Sequence, residues 1–205
     1  YKRLTGQQWL TIGRDQIAFA NMIGDTADRS EGANKHDVLG AVGCDSRIGS
    51  KYLRPGYGFG GPCFPRDNRA LGAHIASVGI EPLIPLATDA ANKAHTALQT
   101  EELLATAQQE FTFSQIGYKE NCTVPIIEES QKLKIAASLA RKGRRVTICD
   151  RANLVLAVQQ QYGALFSYEV NDAGDAHAEI SPQPHASAHG AKIFGGSDSY
   201  GVRRI

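Results

Sequence analysis

Gly56-Tyr57-Gly58-Phe59-Gly60-Gly61-Pro62-Cys63-Phe64-Pro65-Arg66-Asp67 places one cysteine directly behind a run of glycines, with a carboxylate four residues further on. Glycine adds no side-chain bulk and reaches positive φ readily, so glycines at 56, 58, 60 and 61 predict a backbone-lined pocket that a ligand can approach closely. A thiol at the edge of such a pocket is a candidate nucleophile, and Asp67 is placed to orient or deprotonate a water. Taken alone, the same stretch also reads as a Gly/Pro-rich surface turn around an inert cysteine. Its flanks decide between the two.

The run Asp45-Ser46-Arg47-Ile48-Gly49-Ser50-Lys51-Tyr52-Leu53-Arg54-Pro55 leads into the glycines without a gap. From Asp45 to Asp67 the chain resembles the substrate loop and catalytic-cysteine signature of the UDP-glucose/GDP-mannose dehydrogenase family, roughly D-x-R-I-G-x-K-[FY]-L-x-x-x-x-G-F-G-G-x-C-[FL]-x-K-D. Ile17-Ala18-Phe19-Ala20-Asn21 is similar to the family's I-S-F-x-N helix. Tyr118-Lys119-Glu120-Asn121 and Ile127-Glu128-Glu129-Ser130 are similar to its Y-K-x-x…I-E-E-S segment. The resemblance covers about residues 1–170.

Composition sets bounds around this reading. A chain of 205 residues can bury one large core or two small ones. A formal charge of +1 gives no electrostatic footprint for nucleic acid. No apolar run reaches the roughly 20 residues that span a bilayer, and no signal peptide opens the chain. Cys44, Cys63, Cys122 and Cys149 show no C-x-x-C spacing, which suits a reducing, cytoplasmic setting and no metal site. The chain opens on Tyr1 rather than Met, as a processed or partial sequence would.

Periodicity predicts helices in the first half and an α/β arrangement in the second. Ile17, Phe19, Ala20 and Ile23 give an apolar face to a helix running to about Arg29, and Lys35 to Val42 reads as a short helix. Asp67 reads as the cap of a helix with Leu71, His74, Ile75 and Val78 inward and Gly79 as its stop; His74 reads as a core or rim histidine rather than a ligand. Pro82 and Pro85 read as breaks, followed by a long helix from 86 to about 108 with one face buried against a partner or neighbouring domain. Phe111–Ile116, Val146–Cys149 and Leu165–Val170 read as strands, with helices at Glu129–Lys142 and Ala152–Tyr162. Strand, helix, strand implies a parallel sheet and a boundary near residue 109. From 171 onward the segment is Gly-, Ala-, Ser- and His-rich and reads as loop or partly disordered. His177, His185 and His189 lack a ligand spacing there.

Gly56-x-Gly58-x-x-Gly61 formally matches a dinucleotide fingerprint, but Arg54-Pro55 precede it and Pro62 and Pro65 follow. A strand should lead in and a helix should start at the second glycine. It therefore reads as a substrate loop. Asp150, at a strand end where dinucleotide domains place a ribose-binding acid, lacks the matching glycine turn.

The resemblance implies a helical, dimerisation-type middle domain (1–108), then a small Rossmann-like α/β nucleotide-sugar-binding domain (109–205). The family's N-terminal NAD domain has no counterpart in what is matched. It implies oxidation of a sugar C6 alcohol to a carboxylate, with NAD as oxidant and a UDP- or GDP-hexose as ligand. Cys63 would form the thioester and Asp67 would assist the hydrolytic water. Arg66, in place of the usual lysine, would face the cofactor. Asn21, Tyr52, Leu53, Arg54, Phe59, Gly60 and Gly61 would line the nucleotide sugar, Arg47 would reach it across a homodimer interface, and Lys119 would meet it from the second domain. The helix before Ile17 departs from the family: its lysine and asparagine positions hold Gly6 and Leu10, or Arg3 and Gln7 after a three-residue deletion. A non-catalytic nucleotide-sugar-binding or assembly protein is the competing reading. A 6-phosphogluconate-type reductase gives no reason for the Gly-Gly-Pro-Cys loop.

Overall fold

The computed structural model describes the backbone of residues 2–118 and 124–171 and the side chains of 12–118 and 124–171. Lys119, Cys122 and the three tail histidines lie outside the described residues, as do the side chains of Arg3, Gly6, Gln7 and Leu10. Four helices come first: α1 (Lys2–Asp28), α2 (Lys35–Gly43), α3 (Phe64–Ser77) and α4 (Leu83–Ala105). Then β1 (Glu110–Phe113), α5 (Gln131–Arg141), β2 (Arg145–Asp150), α6 (Ala152–Tyr162) and β3 (Ser167–Val170) alternate. The strands form one parallel sheet in the order β1-β2-β3, with Phe111 opposite Val146 and Ile148 opposite Tyr168. At this level the chain is mostly helical with a small parallel sheet.

Local chemistry explains most of the boundaries. Asn34 caps α2 by accepting from the amides of His36 at 2.9 Å and Asp37 at 3.4 Å. Ser130 caps α5 and also donates to the Ile116 carbonyl at 2.8 Å, tying that helix to the end of β1. Gly79 closes α3 at φ 79°, with the Ile80 amide reaching back to the Ile75 carbonyl at 3.1 Å. Mid-helix Gly40 has nothing within 4 Å of where a Cβ would stand. Gly40→Ala is therefore expected to add about 0.5–1 kcal/mol of stability. A urea midpoint that fell instead would contradict that account of α2.

The larger core lies between sheet and helices. Phe111, Phe113, Val146 and Ile148 of the strands meet Leu133, Ile135 and Leu139 of α5, Leu154 and Val158 of α6, and Leu103 of α4. Leu103 carries the end of α4 into this cluster, so the long helix and the sheet are joined through shared apolar packing. A smaller cluster of Ala20, Leu39 and Leu53 closes α1 over α2 and the segment that follows it.

Several expectations are corrected. Asp67 does not cap α3; Cys63 holds the N-cap position and the helix begins at Phe64. Pro65 explains this, because a proline in the first turn has its φ preset and gives up an amide that would have no intrahelical acceptor. The same reasoning moves the start of α4 back to Leu83, with Pro85 in its first turn. The α3 stripe is rotated: Pro65, Asn68, Leu71 and Gly72 are buried, whereas Val78 is 59% exposed and His74 faces solvent. In α1, Phe19 turns outward and Gly13, Arg14, Ala18, Asn21, Gly24 and Ala27 are buried. A Cβ on Gly24 would lie 2.8 Å from Pro55, so little more than a hydrogen fits at that contact. The first strand ends at Phe113, and Gln115 at φ 51° turns the chain away. The last strand begins at Ser167, after a 3-10 turn at Gly163–Leu165.

Candidate functional site

The buried face of α4 is polar. Thr88, Asn92, His95 and Gln99 recur every three or four residues and are each at most 6% exposed. Buried polar groups need partners, and here the glycine loop supplies them. Asn92 accepts from the Phe59 amide at 2.9 Å and donates to the Phe59 carbonyl at 3.0 Å. His95 meets the Gly56 carbonyl through Nε2 at 2.7 Å and Asp25 of α1 through Nδ1 at 2.8 Å. Gln99 donates to the same Gly56 carbonyl at 3.1 Å. From α1, Asn21 accepts from the Gly56 amide at 2.8 Å and donates to the Tyr57 carbonyl at 3.3 Å. Gln131, at the start of α5, donates to the Phe59 carbonyl at 2.9 Å, and the Gly61 amide donates to the Glu128 carbonyl at 3.0 Å.

These bonds change the meaning of the glycines. A Cβ on Gly58 would stand 2.3 Å from Asn92 Oδ1, one on Gly60 2.3 Å from the Glu129 carbonyl oxygen, and one on Gly61 2.3 Å from the Tyr118 ring. Gly61 also sits at φ 85°. These three glycines let α4, the Glu128–Gln131 segment and Tyr118 approach the loop backbone closely.

The loop delivers Cys63 to the surface, exposed, at the N-cap of α3. The Asp67 amide donates to the Cys63 carbonyl at 2.8 Å, so the two residues stand one helical turn apart on the same side of α3. Arg66 Nε donates to Asp67 Oδ1 at 2.9 Å while most of its side chain stays in solvent. A thiol, a carboxylate and a guanidinium thus share one short segment, with Cys63 and Arg66 exposed and the Asp67 carboxylate mostly covered.

The other candidates separate into two groups. Tyr52, Arg54 and Gly60 are half-buried beside the loop. The Leu53 and Phe59 side chains are buried, at 5% and 4% exposure, and both backbone polar groups of Phe59 are taken up by Asn92 and Gln131. Asn21 is 1% exposed, with its amide occupied by Gly56 and Tyr57. Arg47 reaches into solvent and pairs with Asp45 at 2.5 Å. This hydrogen-bonded pairing holds the Asp45 carboxyl below its usual range. Between 45 and 67 the chain carries Arg47, Lys51, Arg54 and Arg66 against Asp45 and Asp67, a local positive balance in a nearly neutral protein.

Three residue sets were missed in the sequence. Asn92, His95 and Gln99 could have been found from polar residues recurring at helical spacing in a helix without an internal break. Gln131 carried no signal. Arg14 of α1, fully buried, donates through Nη1 to the Phe64 carbonyl at 2.7 Å.

Among the described residues no glycine turn joins a strand to a helix N-terminus. The 56–61 run follows Pro55 outside any strand, and α3 starts only at Phe64. These residues do not fit a dinucleotide pyrophosphate. Asp150 is also occupied: Oδ2 accepts from the Ile116 amide and Oδ1 from the Arg151 amide, both at 2.8 Å. No group of His, Cys, Asp and Glu among the described residues is arranged to hold a metal ion.

Residues 11–94, which contain this loop and its clamp, match the model of the UDP-glucose/GDP-mannose dehydrogenase family, central domain. Over this segment the chain belongs to that family. It is 50% identical over 56 residues to a UDP-glucose 6-dehydrogenase of Rhizobium meliloti, a match that covers 27% of this chain and 13% of that protein. It is 28% identical over 138 residues to the GDP-mannose 6-dehydrogenase of Pseudomonas putida, covering 66% of this chain and 31% of that one. Among solved structures, a UDP-glucose dehydrogenase from Pyrobaculum islandicum superimposes with a TM-score of 0.72 at 28% identity, over 82% of this chain and 39% of that one. The chain therefore spans well under half the length of these relatives.

Proposed function

We propose that this chain is the substrate-binding, thiol-bearing portion of a nucleotide-sugar 6-dehydrogenase, with a helical part (1–108) and an α/β part (109–205) meeting around a UDP- or GDP-hexose. The observation that carries the reading is the clamped loop presenting Cys63 and Asp67 together inside the segment that matches the family. Cys63 Sγ adds to the C6 aldehyde of the sugar, giving a thiohemiacetal. A thioester would form there once an oxidant had taken the hydride from that carbon, and a water would hydrolyse it to the carboxylic acid with return of the thiol. Asp67 accepts a proton from that water. NAD is the oxidant that the family implies, with Arg66 facing it; the described residues do not form its site.

Tyr52, Arg54 and Gly60 border the sugar, with Lys119 contributing from the α/β part. Leu53 and Phe59 act by shaping the loop, and Asn21 by holding it. Arg54 and Arg47 meet the diphosphate, a role for which a planar, permanently charged guanidinium is suited. Ile12, Phe19 and Met22 lie exposed along one side of α1 and support pairing of two copies through the helical part. Among the described residues no helix is long and apolar enough to cross a membrane, and a cytoplasmic location is proposed with the rest.

Calorimetric titration with UDP-glucose, GDP-mannose and NAD in turn tests this reading. Saturable binding of one nucleotide sugar is expected, weakened about tenfold (roughly 1.4 kcal/mol) by Arg54→Ala and unchanged in Cys63→Ala. Absence of binding to both nucleotide sugars would remove the basis for the proposal.

A further inference from the structure

Arg14 heads the fully buried side chains of the described residues by size, at 0% exposure. A guanidinium is charged at any ordinary pH, and moving it out of water costs several kcal/mol unless partners replace the solvent. Its surroundings show where those partners lie. Nη1 donates to the carbonyl of Phe64, the residue directly after Cys63, at 2.7 Å. The guanidinium carbon sits 5.8 Å from the centre of the Phe64 ring, which itself meets the Phe59 ring edge-on at 6.5 Å. Burial lowers the Arg14 pKa, and the negative charges of Asp15 and Asp67 oppose that shift. Asp15 is in turn engaged by the Thr88 hydroxyl of α4 at 2.6 Å.

Arg14 and Asn21 lie two turns apart on α1 and so share a face. Asn21 secures the start of the loop at Gly56 and Tyr57, and Arg14 secures its end at Phe64. Only the second holds the segment that carries the thiol and the carboxylate.

We propose that Arg14 is a positioning residue for the Cys63–Asp67 turn. Its guanidinium fixes the backbone immediately after the thiol and so sets where Asp67, one helical turn on, stands relative to Cys63, while Arg66 pairs with that carboxylate. This rests on the reading of Cys63 as the acyl-accepting thiol and Asp67 as the base for the hydrolytic water. Arg14 acts through Asp67 and the Phe64 backbone and does not touch the reacting atoms.

The test follows one acyl group on the full 205-residue chain. With p-nitrophenyl acetate, the Cys63 thiolate attacks the ester carbonyl, p-nitrophenolate leaves, and S-acetyl-Cys63 remains. Water then attacks the thioester carbon, Asp67 takes its proton, and the Cys63 thiolate departs as acetate is released. Peptide mass spectrometry reads the acetyl group on Cys63 over time after excess ester is removed, with Cys63→Ala as the blank. Asp67→Asn is expected to slow deacetylation about tenfold, less than the roughly hundredfold or more that a fully engaged general base contributes. Arg14→Met is expected to slow it by a similar factor. The double variant should be no slower than the slower single one, since two residues acting as a unit are not additive. Arg14→Lys, which keeps charge but not the planar fork, should fall between wild type and Arg14→Met.

A folded Arg14→Met that deacetylates at the wild-type rate overturns the proposal, as does a double variant whose slowing is the product of the two singles. A residue of purely structural importance would change the melting temperature without joining Asp67 in this way. Should Arg14→Met fail to fold, Arg14→Lys decides: slower deacetylation than wild type supports the proposal and an unchanged rate overturns it. If Asp67→Asn itself deacetylates like wild type, or if Cys63 takes no acetyl group, the underlying reading fails and takes the proposal with it. That failure is recognisable because it appears without any change at Arg14.

Discussion

Replacing Gly60 with alanine is expected to cost about 3 kcal/mol, at the upper end of what overpacking does to a well-packed site. The added methyl would stand 2.3 Å from the Glu129 carbonyl oxygen and 3.1 Å from its carbon, and those are backbone atoms. Glu129 has little room to give: it sits at φ 53°, its side chain is paired with Lys134 and with Arg69 at 3.2 Å, and its carbonyl accepts from Gln131 at 2.9 Å. The loop cannot easily retreat on the other side, where Asn92 and Gln131 hold Phe59. Chemical denaturation of Gly60→Ala beside Gly40→Ala measures the contrast, since both add the same methyl. An unchanged midpoint for Gly60→Ala would mean that the loop and the Glu128–Gln131 segment do not pack as described.

Asn92→Leu is expected to cost about 2–3 kcal/mol. The substitution keeps the branch point and the heavy-atom count but strands the Phe59 amide in a dry site, and an unsatisfied buried donor costs roughly 1–3 kcal/mol. The Phe59 carbonyl retains Gln131, which is why the loss is not doubled. Asn92→Asp separates hydrogen bonding from size. An ionised carboxylate would accept from the Phe59 amide but face the Phe59 carbonyl at the position of the present 3.0 Å bond. Its folded-state pKa would then be raised above the unfolded value. Stability would be present at low pH, where a protonated carboxyl can donate, and lost as pH rises through that folded pKa. Melting temperatures across pH for wild type, Asn92→Leu and Asn92→Asp check this; a pH-independent difference between Asn92→Asp and wild type would argue that the carbonyl is not where the clamp requires it.

Both results concern a loop that is rigid because it is hydrogen-bonded from three helices. In the proposed chemistry that rigidity serves the thiol. A nucleophile is effective when its backbone is fixed before substrate arrives. Cys63 is exposed, yet the chain entering it is held at Gly56, Phe59 and Gly61, and the chain leaving it at Phe64. The side chains doing this are polar and buried, a combination that is costly when partly satisfied and specific when fully paired.

The sequence by itself determined the order of helices and strands, the parallel sheet implied by strand-helix-strand, and the loop that carries the thiol. Those features follow from signals within a few residues of one another: glycine and proline punctuation, apolar periodicity, and a motif continuous from Asp45 to Asp67. Tertiary structure decided what the glycines pack against: Gly58, Gly60 and Gly61 make room for Asn92, Glu129 and Tyr118. It also turned Phe19 and Val78 outward, placed a polar seam on the buried side of α4, and set Arg14 beneath the cysteine turn. The helical recurrence of Asn92, His95 and Gln99 is a local signal, but its burial is not, because a side chain such as Asn92 or Arg14 is stable in the interior only when a partner tens of residues away in sequence arrives to satisfy it, and only the folded chain brings the two together.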